Sequence, residues 1–299
     1  MSSLIDPTVA LAGLFVGFVV GLTGMGGGAL MTPILVLLFK VQPLAAVSSD
    51  IVASMIMKPV GGGVHWRRGT VNTDMVRWLM LGSVPSAFLG VFLLKSSGQG
   101  EALQHHVKLA LGLALLVVAV GLIIRPLLSR GRQAGDSLAP LVVKKLPTVL
   151  IGIAGGLVVG LTSVGSGSLM IILLLMLYPK LRLSELVGTD LVQAIPLVAS
   201  AALGHAFFGD FRLALTASIL VGSIPGVFLG AQLSSRAPDG VIRPALILVL
   251  LGSSLKLLGS SNVVLALVLA VFAAAYLAVR ASEQRSARAL LGLPSSRQS

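Results

Sequence analysis

The residues with most chemistry to offer stand in a motif written twice. Val20-Gly21-Leu22-Thr23-Gly24-Met25-Gly26-Gly27-Gly28-Ala29-Leu30-Met31 returns as Val159-Gly160-Leu161-Thr162-Ser163-Val164-Gly165-Ser166-Gly167-Ser168-Leu169-Met170. Each copy interrupts a long apolar segment with small residues, and a new helical segment is expected after Gly28 and after Gly167. The first N–H groups of such a segment lack intrahelical partners and sit at the positive end of the helix dipole. Glycine lets a ligand approach the backbone closely, and hydroxyls add donors. Two such ends facing each other at low dielectric would cradle a small oxyanion. The competing reading is that small residues only let helices pack tightly. The candidate ligand-binding residues are therefore Thr23, Gly24, Gly26, Gly27 and Gly28 in one copy, and Thr162, Ser163, Gly165, Ser166, Gly167 and Ser168 in the other.

Four further polar side chains fall inside apolar stretches. Lys58 precedes Pro59, and its counterpart in the second copy is Val198. An ionisable residue inside a membrane span points to function. Lys58 reads either as a cationic ligand or gate for the anion, or as a side chain that snorkels to a helix end about 10 Å away. Asp50 and Asp190 occupy matching positions after Ser48-Ser49 and Gly188-Thr189. Either one of them carries a proton or cation coupled to transport, or both cap and lock the neighbouring interrupted segments. The structural role is favoured, because twin carboxylates repel an anion. Gln193, one turn beyond Asp190, reads as a donor to the ligand or as interhelical glue. His65 and His205, beside Trp66 and Phe207, are expected to be interfacial anchors. With four histidines and no carboxylate cluster beside them, neither a metal site nor any cofactor is expected.

The elements that must position these groups are set by composition. Of 299 residues, 56% are hydrophobic and 11% charged, and the mean hydropathy is +1.00. Soluble domains carry about a quarter charged residues. Apolar stretches long enough to cross a bilayer recur along the chain, so it reads as a polytopic helical membrane protein in contact with lipid. The net charge of +12 comes mainly from residues between spans and at the C-terminus, which makes it a topology signal and not a nucleic-acid footprint. The absence of cysteine excludes disulfides and thiolate chemistry. Met1 to Pro7 has no basic region of the kind that begins a cleavable signal peptide.

The repeat extends well beyond its glycines. Asp50/Asp190 and His65/His205 match, as do Gly82-Ser83-x-Pro85-x-x-Phe88-Leu89-Gly90 and Gly222-Ser223-x-Pro225-x-x-Phe228-Leu229-Gly230. The expected organisation is a first membrane repeat at 8–128, a cytoplasmic linker at 129–146, a second repeat at 147–260, an extra span at 261–280 and a polar, poorly ordered tail at 281–299. Each repeat opens with two short arms, 8–22 and 29–39, then 147–161 and 168–178, followed by three spans. At 1.5 Å per residue the arms reach about 22 and 17 Å, too short to cross alone. If each pair of arms made one kinked crossing, Lys and Arg in the loops would divide 10 to 11 between the two sides. If each pair is a re-entrant hairpin, they divide 16 to 5, which satisfies the positive-inside rule. The N-terminus is then outside and the C-terminus cytoplasmic. With three crossings per half, the second copy is turned over. The expected fold is thus an all-α integral membrane protein of two inverted-topology repeats, each a re-entrant broken-helix hairpin plus three transmembrane helices, with one extra C-terminal helix.

These residues also resemble a known family. The repeated Gly-Leu-Thr-x-x-Gly-x-Gly tract, the aspartate-bearing second segments and the Gly-Ser-x-Pro-x-x-Phe-Leu-Gly third segments are similar to the sulfite exporter TauE/SafE family over about residues 10–260. The resemblance implies a permease built from a duplicated module that moves sulfite or organosulfonates, with the tips Gly24 to Gly28 and Ser163 to Gly167 at a central site. The expectation is a secondary transporter of a small sulfur oxyanion in the inner membrane, working by alternating access and open to proton coupling, with its oligomeric state unread. Two alternatives stand beside it, a transporter of another small anion and an intramembrane lipid-pyrophosphate hydrolase. Hydrolysis usually needs clustered carboxylates, a metal and an arginine clamp. Only Asp50, Asp190 and Lys58 are within the spans, so no enzyme activity is expected.

Overall fold

The computed structural model describes residues 5–23, 27–67, 69–129, 142–179, 181, 183–233 and 239–290. Among them the chain is helical and without strands. The helices are α1 (Pro7–Thr23), α2 (Gly28–Leu37), α3 (Pro43–Arg67), α4 (Thr73–Ser96), α5 (Gly100–Ser129), α6 (Lys145–Thr162), α7 (Leu169–Leu177), α8 (Leu183–Phe208), α9 (Leu213–Leu233), α10 (Asp239–Leu257) and α11 (Asn262–Leu290). Among the described residues, five of these, α4, α5, α6, α8 and α9, hold stretches long and apolar enough to cross a membrane. Large apolar side chains such as Leu11, Phe15, Leu81 and Leu113 are exposed on the outer faces. Lipid is a favourable solvent for such a surface and water is not. The chain is a multi-pass, all-helical membrane protein.

Local chemistry sets the helix ends. Asp6 Oδ1 accepts from the Thr8 hydroxyl and from the Thr8 and Val9 N–H groups at the start of α1, and these bonds, the hydroxyl's first, hold its carboxyl below the usual carboxylate range. Asn72 Oδ1 caps α4 by accepting from Met75 N–H at 2.9 Å. The two interruptions end alike, with Thr23 Oγ1 donating to the Val19 carbonyl at 2.8 Å and Thr162 Oγ1 to the Val158 carbonyl at 2.6 Å. A hydroxyl turned back on its own helix competes with the backbone ladder at the point where the ladder stops.

The directions of the helices follow from which residues meet. Ser48 bonds His205 while Gly62 lies against Leu191 and Ile195, so α3 and α8 are antiparallel. Asn72 meets Thr189 and Gly204 lies on Val91, so α4 and α8 are parallel. Two long parallel seams are built on glycines. Gly13 and Gly17 of α1 press on Ile219 and Ser223 of α9, and Gly222 and Gly230 of α9 press on Ala10 and Phe18. Gly152 and Gly160 of α6 press on Leu79 and Ala87 of α4 in the same way. Any Cβ at these glycines would overlap the facing backbone, so the seams need glycine for the closeness of approach. Each half thus lays its first helix along the third long helix of the other half. Finally, α6 and α7 fold back on each other. Tyr178, just after α7, bonds Thr148 and accepts from Lys144 N–H at the start of α6, while Met170 lies on Gly155.

Three expectations need correction. The arm expected at 147–161 is the 18-residue helix α6, long and apolar enough to cross a membrane by itself. Its length comes from the Lys145–Pro147 start and from Thr162, which extend the helix at both ends of the apolar run. The region 281–290, expected to be part of a polar, poorly ordered tail, continues α11 to Leu290. Eight of its ten residues are Ala, Arg, Glu, Gln or Leu, all good helix formers. Most of the expected linker, 130–141, and the tail beyond 290 lie outside the described residues. His205 is corrected below.

Candidate functional site

The second interruption is fully described, and it is a hydrogen-bonded turn built from short side chains. Ser163 takes the left-handed backbone (φ 62°) that stops α6, and its N–H still reaches the Val159 carbonyl. Gly165 (φ 120°) and Gly167 (φ 106°) adopt conformations that only glycine holds without strain. Thr162 to Ser168 are buried throughout. Thr162 Oγ1 accepts from Val164 N–H at 3.1 Å, closing the turn. Of the first interruption, Gly24 and Gly26 lie outside the described residues. Thr23 is the last residue of α1, and Gly27 precedes α2 in ordinary helical conformation with no side-chain cap.

The two interruptions meet. Gly28 packs so closely on Ser163 that a Cβ there would overlap the Ser163 carbonyl. Around this junction three ionisable groups are buried, Asp50 and Asp190 with no exposure and Lys58 at 8%. Asp50 Oδ2 accepts from Ser163 Oγ at 2.6 Å and from Thr32 Oγ1 of α2 at 3.0 Å, so one carboxylate ties α2 to the opposite turn. Asp190 Oδ1 accepts from Gln193 Nε2 at 3.0 Å, and the Gly167 N–H at the head of α7 also donates to Asp190. Gln193 is held in turn by Ser83 Oγ of α4 at 3.1 Å. Lys58 is the buried cation that both carboxylates face, without a contact ion pair to either. Each aspartate keeps one buried oxygen without a partner, Asp50 Oδ1 and Asp190 Oδ2. A buried unpaired carboxylate oxygen costs about 1–3 kcal/mol or more, so both sites hold unspent acceptor capacity.

The remaining candidates sit nearby in different roles. Ser166 and Ser168 are buried within the turn, and the Ser168 carbonyl accepts from Ile172 N–H in the first turn of α7. A small apolar cavity lies beside Gly27, lined by Val20, Met31, Met57 and Ser223, whose hydroxyl is unpartnered.

Thr32 and Ser83 were not among the residues singled out by sequence. The available signal was their spacing, one turn into α2 after the glycines and at the head of the Gly-Ser-x-Pro motif. His205 was misassigned. It is fully buried, with Nε2 donating to the Gly160 carbonyl at 2.8 Å and Nδ1 bonded to Ser48 Oγ at 2.9 Å. Its neighbour Phe207 is exposed, and so is Trp66 beside His65. The aromatic companions are at the surface, but helix rotation turns His205 inward.

The family model described as Sulfite exporter TauE/SafE matches residues 9–257. The probable membrane transporter protein YjnA of Bacillus subtilis (strain 168) is 41% identical over 257 residues, covering 84% of this chain and 99% of that protein. The probable membrane transporter protein YdhB of the same organism is 27% identical over 244 residues, covering 80% of this chain and 95% of its own length. No solved structure matches.

Proposed function

Because the chain belongs to the sulfite exporter TauE/SafE family and is a membrane transporter, we propose that it carries a small sulfur-containing oxyanion, sulfite or an organosulfonate, across the cytoplasmic membrane. The observation that carries this reading is the junction of the two interruptions, Gly28 against Ser163, beside the buried cation Lys58. Such a junction offers hydroxyls, helix-start amides and one positive charge at low dielectric, which suits an anion with several acceptor oxygens.

The architecture we infer is the inverted repeat, with the N-terminus outside and the C-terminus cytoplasmic. Three features support it. The equivalent helices α3 and α8 run antiparallel, α7 returns to the start of α6, and the 16-to-5 division of basic residues favours re-entrant hairpins. Alternating access then consists of one half rocking against the other about the junction. The test is counterflow in proteoliposomes holding sulfite, sulfate or ethanesulfonate. Sulfite or the sulfonate is expected to exchange and sulfate to lag behind. If no sulfur anion exchanges, the substrate class is wrong.

A further inference from the structure

Asp190 holds the ligands that an incoming anion needs. A side-chain amide (Gln193 Nε2, 3.0 Å) and the amide of Gly167 ahead of α7 bond its carboxylate, Lys58 is the buried cation it faces without a contact ion pair, and its Oδ2 is buried without a partner. Asp50, by contrast, is bonded by two hydroxyls, from Thr32 and Ser163, neither of which carries charge. We propose that Asp190 is a tethered competitor for the substrate site, and that an anion enters only when a proton is added to Asp190. This rests on the anion-transport reading above and specifies its coupling.

Charge counting gives the stoichiometry. With all three groups ionised, Lys58, Asp50 and Asp190 carry one net negative charge in a site without bulk water. Adding a monoanion doubles that charge in a medium where burying even one unpaired charge is costly. Adding the anion with one proton leaves the net charge as it was. The proton goes onto Asp190 Oδ2, where no donor has to be displaced, and the neutral acid releases Lys58 and the α7 amide to the substrate. The proton and anion are released together on the other side, so one proton moves with each monoanion.

The groups facing Asp190 are few. From α3 they are Lys58, which also faces Asp50, and His65, which lies against Gly188 two residues before Asp190, and from α7 only the amide end. On α8 itself Glu185 lies five residues before Asp190, about 8 Å along the helix, and His205 fifteen residues on, about 22 Å. The described charges Asp74 and Arg77 of α4 and Lys144 and Lys145 at the start of α6 are exposed at helix ends.

The test compares wild type with Asp190→Asn, Asp190→Glu and Asp50→Asn in the full chain, each checked for a monodisperse peak in detergent. Binding and counterflow use ethanesulfonate, whose charge is fixed across the pH range, with sulfite, thiosulfate and chloride as further probes. Wild-type affinity is expected to weaken towards high pH, by up to about tenfold per unit once Asp190 is ionised. D190N is expected to bind more tightly and without pH dependence, and D190E to restore it. At one proton per anion, a pH gradient of one unit sustains about tenfold accumulation in wild type, whereas D190N only equilibrates at whatever rate it exchanges. Infrared spectroscopy supplies a readout that needs no substrate, a protonated-carboxyl band that titrates in wild type, is lost in D190N and is kept in D50N. A D190N protein that still accumulates anion with the pH gradient, or a wild type driven by sodium instead, overturns the proposal and leaves the transport reading standing. If no anion binds to any variant but the band behaves as described, the transport reading falls and Asp190 stands as a proton site only. If the band is missing as well, both fall.

Discussion

The two interruptions began as copies of one motif, yet they are finished in different ways. The second, Thr162 to Ser168, is a closed web of hydroxyls and amides whose left-handed Ser163 reaches across to Asp50. The first, where it is described, contributes backbone. Gly27 and Gly28 have no capping side chain, and Gly28 serves by being small enough to touch Ser163. The polar side chains around the junction are not duplicated either. Lys58 has Val198 as its counterpart, Thr32 of α2 has Ile171, and Gln193 has Ala53. Duplication supplies two matching cradles, and divergence has left one cation and one polar web to serve a single junction. The halves are alike as scaffolds and unlike as chemistry.

The largest expected effect comes from removing that asymmetry. Lys58→Met leaves two buried carboxylates without their neighbouring cation. Two buried carboxylates then face each other's surroundings with no compensating cation, so the thermal unfolding temperature in detergent should fall and counterflow should be lost. Placing the lysine in the other half, Lys58→Val with Val198→Lys, should not restore exchange. If it does, the halves are interchangeable and the contrast drawn here is wrong.

The histidines come next. His205→Ala strands the Gly160 carbonyl, at about 1–3 kcal/mol for a group left unpaired in the interior, and leaves Ser48 only its bond from the Asp210 N–H. His65 is only half-buried and bonds Thr70 within its own helix end. His65→Ala should therefore cost clearly less in the same melting experiment. Equal losses would return His205 to the same standing as His65.

The smallest contrast is the most local. Gly28→Ala drives a methyl into the Ser163 backbone, and overpacking of this kind costs about 1–3 kcal/mol and should suppress counterflow. Gly27→Ala meets only ordinary van der Waals contact with Met57, in a helical conformation that alanine prefers. It should be neutral or stabilising by about 0.4–1 kcal/mol. Indistinguishable melting temperatures for the two variants would mean that the tips do not touch as described.

The sequence carried the helices well because apolar runs and small-residue breaks are local signals. The segment bounds near Thr23, Gly28, Thr162 and Leu169 could be read to within a residue or two. What it did not carry was who meets whom. That Asp50 would bond Ser163, 113 positions away, depends on the folding of one half across the other. Thr32 and Ser83 were passed over because a lone hydroxyl in an apolar helix looks like any other. His205 was misread because its exposed aromatic neighbour Phe207 suggested an interface, while the rotation between residues on one helix turn sends the imidazole the opposite way.

The glycine seam between α1 and α9 has a consequence for biosynthesis. Gly13 rests on Ile219, so the first helix emerges from the ribosome roughly 200 residues ahead of its partner, a wait of about 10–40 s at ordinary synthesis rates of about 5–20 residues per second. During that time α1 has a row of glycines with nothing pressed against it. A nascent chain in this state depends on lipid, or on the insertion machinery, to keep α1 helical and in place until the last third of the protein arrives.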